Sequence, residues 1–251
     1  MMRTALVTGG NSEIGFNIVE SLFQKGWNLI ILDTEKAIKA LNEKVKVLKG
    51  RYNLNNTILL NTIDMYEDRD IEEKMEWILE NHTLSLLINV AGINLLKSFL
   101  NFNKEDFEKV ITINATNTLL ISQAAAKNMI KHQNSGNIIF IGSQHGIVAN
   151  YNRVPYSISK SILIHTTKSL ALELSSFNIR VNCVSPTFIQ TEENKDLLSQ
   201  TYFKLNALEK IPLKKYGTAK DVKEAVLFLI DEKASMITGH NLVIDGGWTI
   251  Q

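Results

Sequence analysis

Short apolar runs, several of them without polar alternation, alternate along the chain with longer stretches of helical periodicity. Ile138-Ile139-Phe140-Ile141 is one such run. A run of this kind suits a strand buried on both faces, as in a parallel sheet covered by helices. The pattern predicts strands at Thr4–Val7, Asn28–Leu32, Thr57–Ile63, Ser85–Val90, Asn137–Ile141, Arg180–Val184 and Asn241–Ile244. It predicts helices near Ile14–Lys25, Asp70–Glu80, Lys104–Lys131, Pro155–Ser176 and Lys220–Ile230. Strand–helix alternation over the full length means an α/β fold, an open doubly wound parallel sheet of about seven strands flanked by helices. With no internal repeat and no linker, residues 1–251 form a single domain.

The 251 residues, 45% of them apolar, supply the core such a domain needs. A formal net charge of +1 gives no bulk attraction for a polyanion. The basic run Lys44, Lys46, Lys49, Arg51 is interrupted by apolar residues and reads as a solvated face, so no nucleic-acid partner is expected. The one cysteine, Cys183, excludes an intrachain disulfide and points to a reducing compartment. The five histidines are scattered, and no metal site is expected. No stretch approaches the ~18–20 consecutive apolar residues of a membrane span. The N-terminal apolar run is too short for a signal peptide, so a cytoplasmic chain is expected. The polar segment 187–215 carries five lysines and follows the strand that ends before Pro186. At the carboxyl edge of a parallel sheet it would serve as a substrate lid.

The first strand runs into Thr8-Gly9-Gly10-Asn11-Ser12-Glu13-Ile14-Gly15 and then a helix. A glycine turn there lets backbone N–H groups and the helix N-terminus meet a pyrophosphate, which makes the sheet Rossmann-type. Strand two ends in Asp33, 18 residues beyond Gly15. A carboxylate there accepts hydrogen bonds from the adenosine ribose hydroxyls and repels a 2′-phosphate, which favours NAD. The bland alternative for Asp33 is a turn or cap residue.

These residues resemble the nucleotide motif TGxxxGxG of the short-chain dehydrogenase/reductase family, and later motifs follow in the family's order along essentially the entire chain. Asp64 resembles the adenine-contacting aspartate, and Asn89-Val90-Ala91-Gly92 resembles NNAG. Asn114, Ser143, Tyr156 and Lys160 match the catalytic tetrad, and Ser185-Pro186-Thr187-Phe188-Ile189-Gln190-Thr191 resembles the PGxIxT segment. Asp245-Gly246-Gly247-Trp248 matches the usual C-terminal ending. The resemblance implies cofactor contacts from Thr8, Gly9, Ser12, Ile14, Gly15, Asp33, Asp64, Asn89, Ala91, Gly92, Tyr156, Lys160, Pro186, Ile189 and Thr191. Three positions depart from the pattern: Glu13, Val90 and Thr187. Glu13 puts a carboxylate near the expected pyrophosphate, which is unfavourable unless its side chain points to solvent. Ser12 and Thr34 stand where NADP-preferring members tend to carry a basic residue, which again favours NAD.

Tyr156 and Lys160 are four apart at the start of a helical stretch, so both side chains share one face. An ammonium beside a phenol stabilises the phenolate, which makes Tyr156 the expected general acid and base. The resemblance implies that Lys160 also holds the nicotinamide ribose. It implies that Ser143 orients the reacting oxygen and that Asn114 holds a relay water. The stretch Ser143-Gln144-His145-Gly146-Ile147-Val148 is similar to one in the 3-hydroxybutyrate dehydrogenases of the family. By that likeness His145 and Arg153 would bind a substrate carboxylate, with Asn94 beside them. The expected activity is hydride transfer between NAD and a secondary alcohol or ketone, with a small hydroxy acid as candidate substrate. One alternative is an NAD(P)H-dependent 3-ketoacyl-thioester or sugar reductase. An alternative of another class is a non-catalytic NAD-binding protein. Family members assemble as tetramers or dimers, so a homo-oligomer through the helices near Lys104–Lys131 and Pro155–Ser176 is expected.

Overall fold

In the computed structural model, which describes residues 3–52, 54–68 and 70–250, seven parallel strands form one sheet. Along the chain they are β1 (Thr4–Thr8), β2 (Asn28–Asp33), β3 (Ile58–Thr62), β4 (Leu84–Asn89), β5 (Gly136–Ile141), β6 (Ile179–Pro186) and, after a two-residue pair, β9 (Asn241–Ile244). The pair joins β7 (Ile189–Gln190) to β8 (Gly217–Thr218) and lies outside the main sheet. Spatial order in the sheet is β3-β2-β1-β4-β5-β6-β9. The order reverses between β1 and β4, and an open sheet of this kind forms its ligand crevice at that reversal, outside the carboxyl ends of the strands.

The helices are α1 (Glu13–Gln24), α2 (Glu35–Arg51), α3 (Ile71–Leu79), α4 (Lys104–Ile111), α5 (Asn117–Lys131), α6 (Val154–Leu174), α7 (Lys195–Ser199), α8 (Thr201–Asn206) and α9 (Ala219–Ile230). The inner strands β1, β2, β4, β5 and β6 bury both faces, and the edge strands β3 and β9 are only partly covered. Leu6, Ile30, Leu87, Ile138 and Phe140 join one core with residues of α3, α5 and α6. Ala5, Val7, Leu29, Ile31, Leu86, Ile88 and Ile139 join a second core with residues of α1, α2 and α9. Neighbouring residues of a strand point to opposite faces, so two covered faces require an unbroken apolar run.

The basic run keeps its solvated face, on a helix that the periodicity did not predict, and the expectation of one unbroken helix over 104–131 is corrected. The basic run from Lys44 to Arg51 belongs to α2, where Leu41, Val45 and Leu48 turn inward while Lys44, Lys46, Lys49 and Arg51 stay exposed. Of the apolar interruptions, Val45 and Leu48 belong to the buried stripe of an amphipathic helix, while Val47 stays exposed. The expected single helix Lys104–Lys131 is broken by a π turn at Thr112–Thr116, with Ile113, Asn114 and Ala115 buried. The main-chain N–H of Asn117 there reaches back five residues to Thr112, and the Thr118 hydroxyl donates to the Ile113 carbonyl at 3.1 Å. Such turns within α-helices occur often at functional sites.

Local chemistry sets the helix starts that border the crevice. Ser12 caps α1 and Thr34 caps α2 with side-chain oxygens. Reciprocal capping boxes begin α4 (Asn103 with Asp106) and α9 (Thr218 with Asp221). Among the described residues no helix is long and apolar enough to cross a membrane.

Candidate active site

The loops after β1 and β4 meet at the crevice. Gly9 has φ +68°, and a Cβ on it would lie 2.8 Å from the Ala91 backbone, so no side chain fits. The Thr8 hydroxyl accepts the main-chain N–H groups of Val90 and Ala91, each at 3.2 Å. Ser12 Oγ donates to the Gly9 carbonyl at 2.8 Å and accepts the Gly15 N–H at 3.1 Å. A Cβ on Gly15 would run into the Gly9 carbonyl oxygen. Thr8 and Gly15 therefore shape the loop from behind, and Gly9 and Ser12 line the opening.

Two cavities of about 430 Å³ and about 310 Å³ adjoin there and share Ser12, Val90, Gly92 and Ile93 in their walls. The larger one holds Asp33 and Asp64. Asp33 accepts the Asn11 N–H through one carboxylate oxygen and the Thr34 N–H through the other, both at 2.9 Å. Asp64 accepts from Tyr66 N–H at 2.8 Å and Glu67 N–H at 3.1 Å. One cation missed in the sequence approaches from behind this loop: Lys44 Nζ donates to the Asn11 carbonyl at 2.9 Å.

The smaller cavity gathers Ile14, Asn94, Ser143, His145, Arg153, Tyr156, Lys160, Pro186, Thr187 and Ile189. Pro155 in the first turn of α6, with no N–H to leave unpaired, starts the helix that carries Tyr156 and Lys160. Lys160 Nζ donates to the Ile141 carbonyl at 2.8 Å and lies 5.7 Å from the Tyr156 ring centre. Ser143 Oγ accepts the His145 N–H at 3.2 Å. Asn114 is fully buried, exchanges two 2.8 Å hydrogen bonds with the main chain of Ile93, and donates to Ser159 Oγ at 3.0 Å. A Cβ on Gly92 would sit 3.1 Å from Asn114 Oδ1 and 3.5 Å from Lys160 Nζ, so the two side chains converge beneath that glycine.

Besides Thr8 and Gly15, two more expected cofactor residues are not brought to the opening, Asn89 and Thr191. Asn89 is buried behind it and donates to Ser122 Oγ at 3.0 Å. Thr191 lines neither cavity; its N–H donates to Asn194 Oδ1 at 2.9 Å, within the segment that follows β7. Glu13 also lines neither cavity, and its carboxylate is not turned to solvent alone, because Oε2 accepts the Glu192 N–H at 3.0 Å. Asn194, which sequence reasoning missed, lines the smaller cavity.

His145 is enclosed by aromatic rings, with centres at 6.3 Å (Tyr156), 5.5 Å (Phe188) and 6.4 Å (Trp248). Burial pushes its imidazole down to about 3, and the Arg153 guanidinium adds to the shift. His145 is therefore neutral near pH 7, and of the two residues expected at a substrate carboxylate only Arg153 is charged. The Arg153 guanidinium is buried and lies 5.4 Å from the Phe188 ring centre. Cys183 is buried as well, and burial pushes its thiol up to about 11, which leaves it inert as a nucleophile.

The chain's residues fit an extended dinucleotide. A helix N-terminus opens at the junction of the two cavities, a carboxylate stands at one end and a Tyr–Lys pair at the other. Among the described residues Thr187 Oγ1 and His145 Nδ1 are buried without a protein partner, and both residues line the smaller cavity. Unpaired buried polar atoms of this kind call for a partner.

Comparison with known proteins agrees with that geometry. Residues 9–249 match the family model described as enoyl-(acyl carrier protein) reductase. The chain is 38% identical over 247 residues to a 3-oxoacyl-(acyl-carrier-protein) reductase of Buchnera aphidicola (subsp. Schizaphis graminum), covering 98% of this chain and 96% of the relative. It is 32% identical over 251 residues to an NAD-dependent glycerol dehydrogenase of Listeria innocua, covering 99% and 94%. A solved 4-hydroxyisoleucine dehydrogenase complexed with NADH superposes with a TM-score of 0.89 at 30% identity, covering 99% of each chain.

The state of His145 sets a pH dependence. The unfolded imidazole titrates near 6.5 and the folded one near 3, so between these values only the unfolded chain takes up the proton. That contribution to stability is complete above pH 6.5 and is lost as pH falls toward 3, by up to about 1.4 kcal/mol per pH unit. Denaturant unfolding at pH 7 and pH 5 should show a smaller loss in His145→Gln than in the native chain. Equal losses would show that His145 titrates normally in the fold.

Proposed function

We propose a specific reaction for this chain, which belongs to the short-chain dehydrogenase/reductase family and is an oxidoreductase acting on CH–OH groups. The reaction is hydride transfer between NAD and a secondary alcohol or ketone that carries an anionic group. One observation carries the reading: a single cleft has Tyr156, Lys160 and Ser143 at one end and the Asp33 carboxylate at the other. The Asp33 carboxylate suits ribose hydroxyls and opposes a 2′-phosphate. The glycerol dehydrogenase and the NADH complex among the relatives support the same choice.

A bound nicotinamide supplies the hydride acceptor or donor, and the protein positions the other partners. In the oxidative direction Tyr156 Oη takes the hydroxyl proton of the substrate as the hydride leaves its carbon. In the reductive direction Tyr156 returns a proton to the carbonyl oxygen. The Lys160 ammonium stabilises the phenolate formed in between, and its own bond to the Ile141 carbonyl fixes its position. Ser143 Oγ already accepts the His145 N–H, so its hydrogen is available to the reacting oxygen. Asn114, in the π turn, lies with Lys160 next to Gly92, and in this reading it supports a water relay.

Arg153 supplies the positive charge for the substrate's anionic group, and neutral His145 adds a hydrogen bond through the same wall. The segment 187–215 covers this end as a lid. Phe203, Ala207 and Ile211 pack with Phe188 and Trp248. The exposed Ile158 and Leu172 on α6 suit assembly of copies into a dimer or tetramer. A second reading, reduction of a 3-oxoacyl thioester, is favoured by the Buchnera relative.

Tyr156→Phe should lower kcat by about 10²–10⁴-fold with dinucleotide affinity unchanged in a fluorescence titration. Full turnover in that variant would overturn the mechanism. NADH should bind more tightly than NADPH, and Asp33→Ser should narrow the difference; tighter NADPH binding by the native chain would overturn the NAD assignment. A panel of hydroxy acids, neutral alcohols and 3-oxoacyl thioesters separates the substrate readings. Preference for hydroxy acids that is lost in Arg153→Ala supports the anionic substrate. Preference for thioesters supports the second reading.

A further inference from the structure

Residues 191–194 form a turn whose last two residues stand at the border of the two cavities. Glu193 lines the Asp33 side, and Asn194 lines the Tyr156 side. Asn194 braces this turn from within. Its Oδ1 accepts the Thr191 N–H and its Nδ2 donates to the Ile189 carbonyl, both at 2.9 Å. The Glu192 side chain is engaged by Lys195 at 2.5 Å. The turn therefore holds its own shape and behaves as a small rigid unit.

One hydrogen bond ties that unit to the opposite wall. Glu13 Oε2 accepts the Glu192 N–H at 3.0 Å and joins positions 179 residues apart. Glu13 begins α1, next to Ser12, which lines both cavities. Its backbone is helical, so the position needs no glycine, and a carboxylate in a first helical turn is favoured by the helix dipole. A glycine here, as in the motif that this stretch resembles, would leave the Glu192 N–H without this acceptor.

We propose that Glu13 is the positioning residue of a latch that holds the 191–194 turn over the cofactor cleft and thereby slows dinucleotide exchange. The inference rests on the reading of the two cavities as one dinucleotide site. A ligand that fills both passes beneath the turn, so it enters and leaves only when the turn lifts. Lifting requires the bond between Glu13 and Glu192 to break. The latch acts through the acceptor oxygen rather than through charge, which separates it from simple repulsion of a pyrophosphate.

The test compares the native chain with Glu13→Ala and Glu13→Gln. Amide hydrogen exchange of Glu192 is followed in the cofactor-free protein, and NADH and NADPH release is followed by stopped-flow fluorescence. Glu13→Ala should speed both exchange and release by about three- to tenfold, the range of one hydrogen bond. Glu13→Gln keeps an acceptor and should stay near the native values. Unchanged exchange in Glu13→Ala overturns the latch. Faster exchange with unchanged release overturns its control of the cofactor. Release from Glu13→Gln that matches Glu13→Ala assigns the effect to charge and also overturns the latch. A native chain that binds neither dinucleotide overturns the cofactor reading and the control of exchange with it, while hydrogen exchange still decides the bond itself.

Discussion

The crossing of two loops at Gly9 and Ala91 is the constraint on which the site depends. Backbone approaches backbone there at a distance that excludes any Cβ, and the buried Thr8 hydroxyl holds the crossing with two N–H groups. The crossing fixes where α1 begins and where the chain after β4 turns down toward Asn114. Asp33 is tied into the same knot through the Asn11 N–H. The Ser12, Gly92 and Asp33 walls of the two cavities thus share one small set of main-chain bonds, and a shift in one displaces the others.

Much of the fold was legible because a sheet covered on both faces demands unbroken apolar strands. Ile138 and Phe140 face one core while Ile139 faces the other, and no polar residue is tolerated between them. α2 escaped notice because its lysines dominate the stretch and its buried Leu41, Val45 and Leu48 look like interruptions. The π turn at Thr112–Thr116 escaped for a different reason. Its residues are ordinary helix residues, and the extra main-chain step is set by what they pack against.

The site was legible as a set of residues and less so as a set of directions. Tyr156 and Lys160 line the smaller cavity as their spacing suggests, and Ser143 and Gly92 line it as the resemblance implies. Asn89 and Thr8 stand at motif positions yet hold the framework from behind. A motif records that a residue type is needed at a place, and support and contact impose the same need. His145 shows the same limit for charge, because its neutrality follows from the rings around it, which only the fold assembles.

The π turn has a consequence for the phase of the helix beyond it. Each residue of an α-helix advances about 100° around the axis. The additional residue near Asn114 therefore rotates all of α5 relative to α4. That rotation brings Asn117 to the Met65 carbonyl and Asn128 to the Leu84 N–H, two bonds made on the far side of the core. Deleting one residue from this turn would leave the composition of α5 intact and point its buried stripe in the wrong direction. The position of Asn114 and the packing of the helix that follows are thus set by the same step in the backbone.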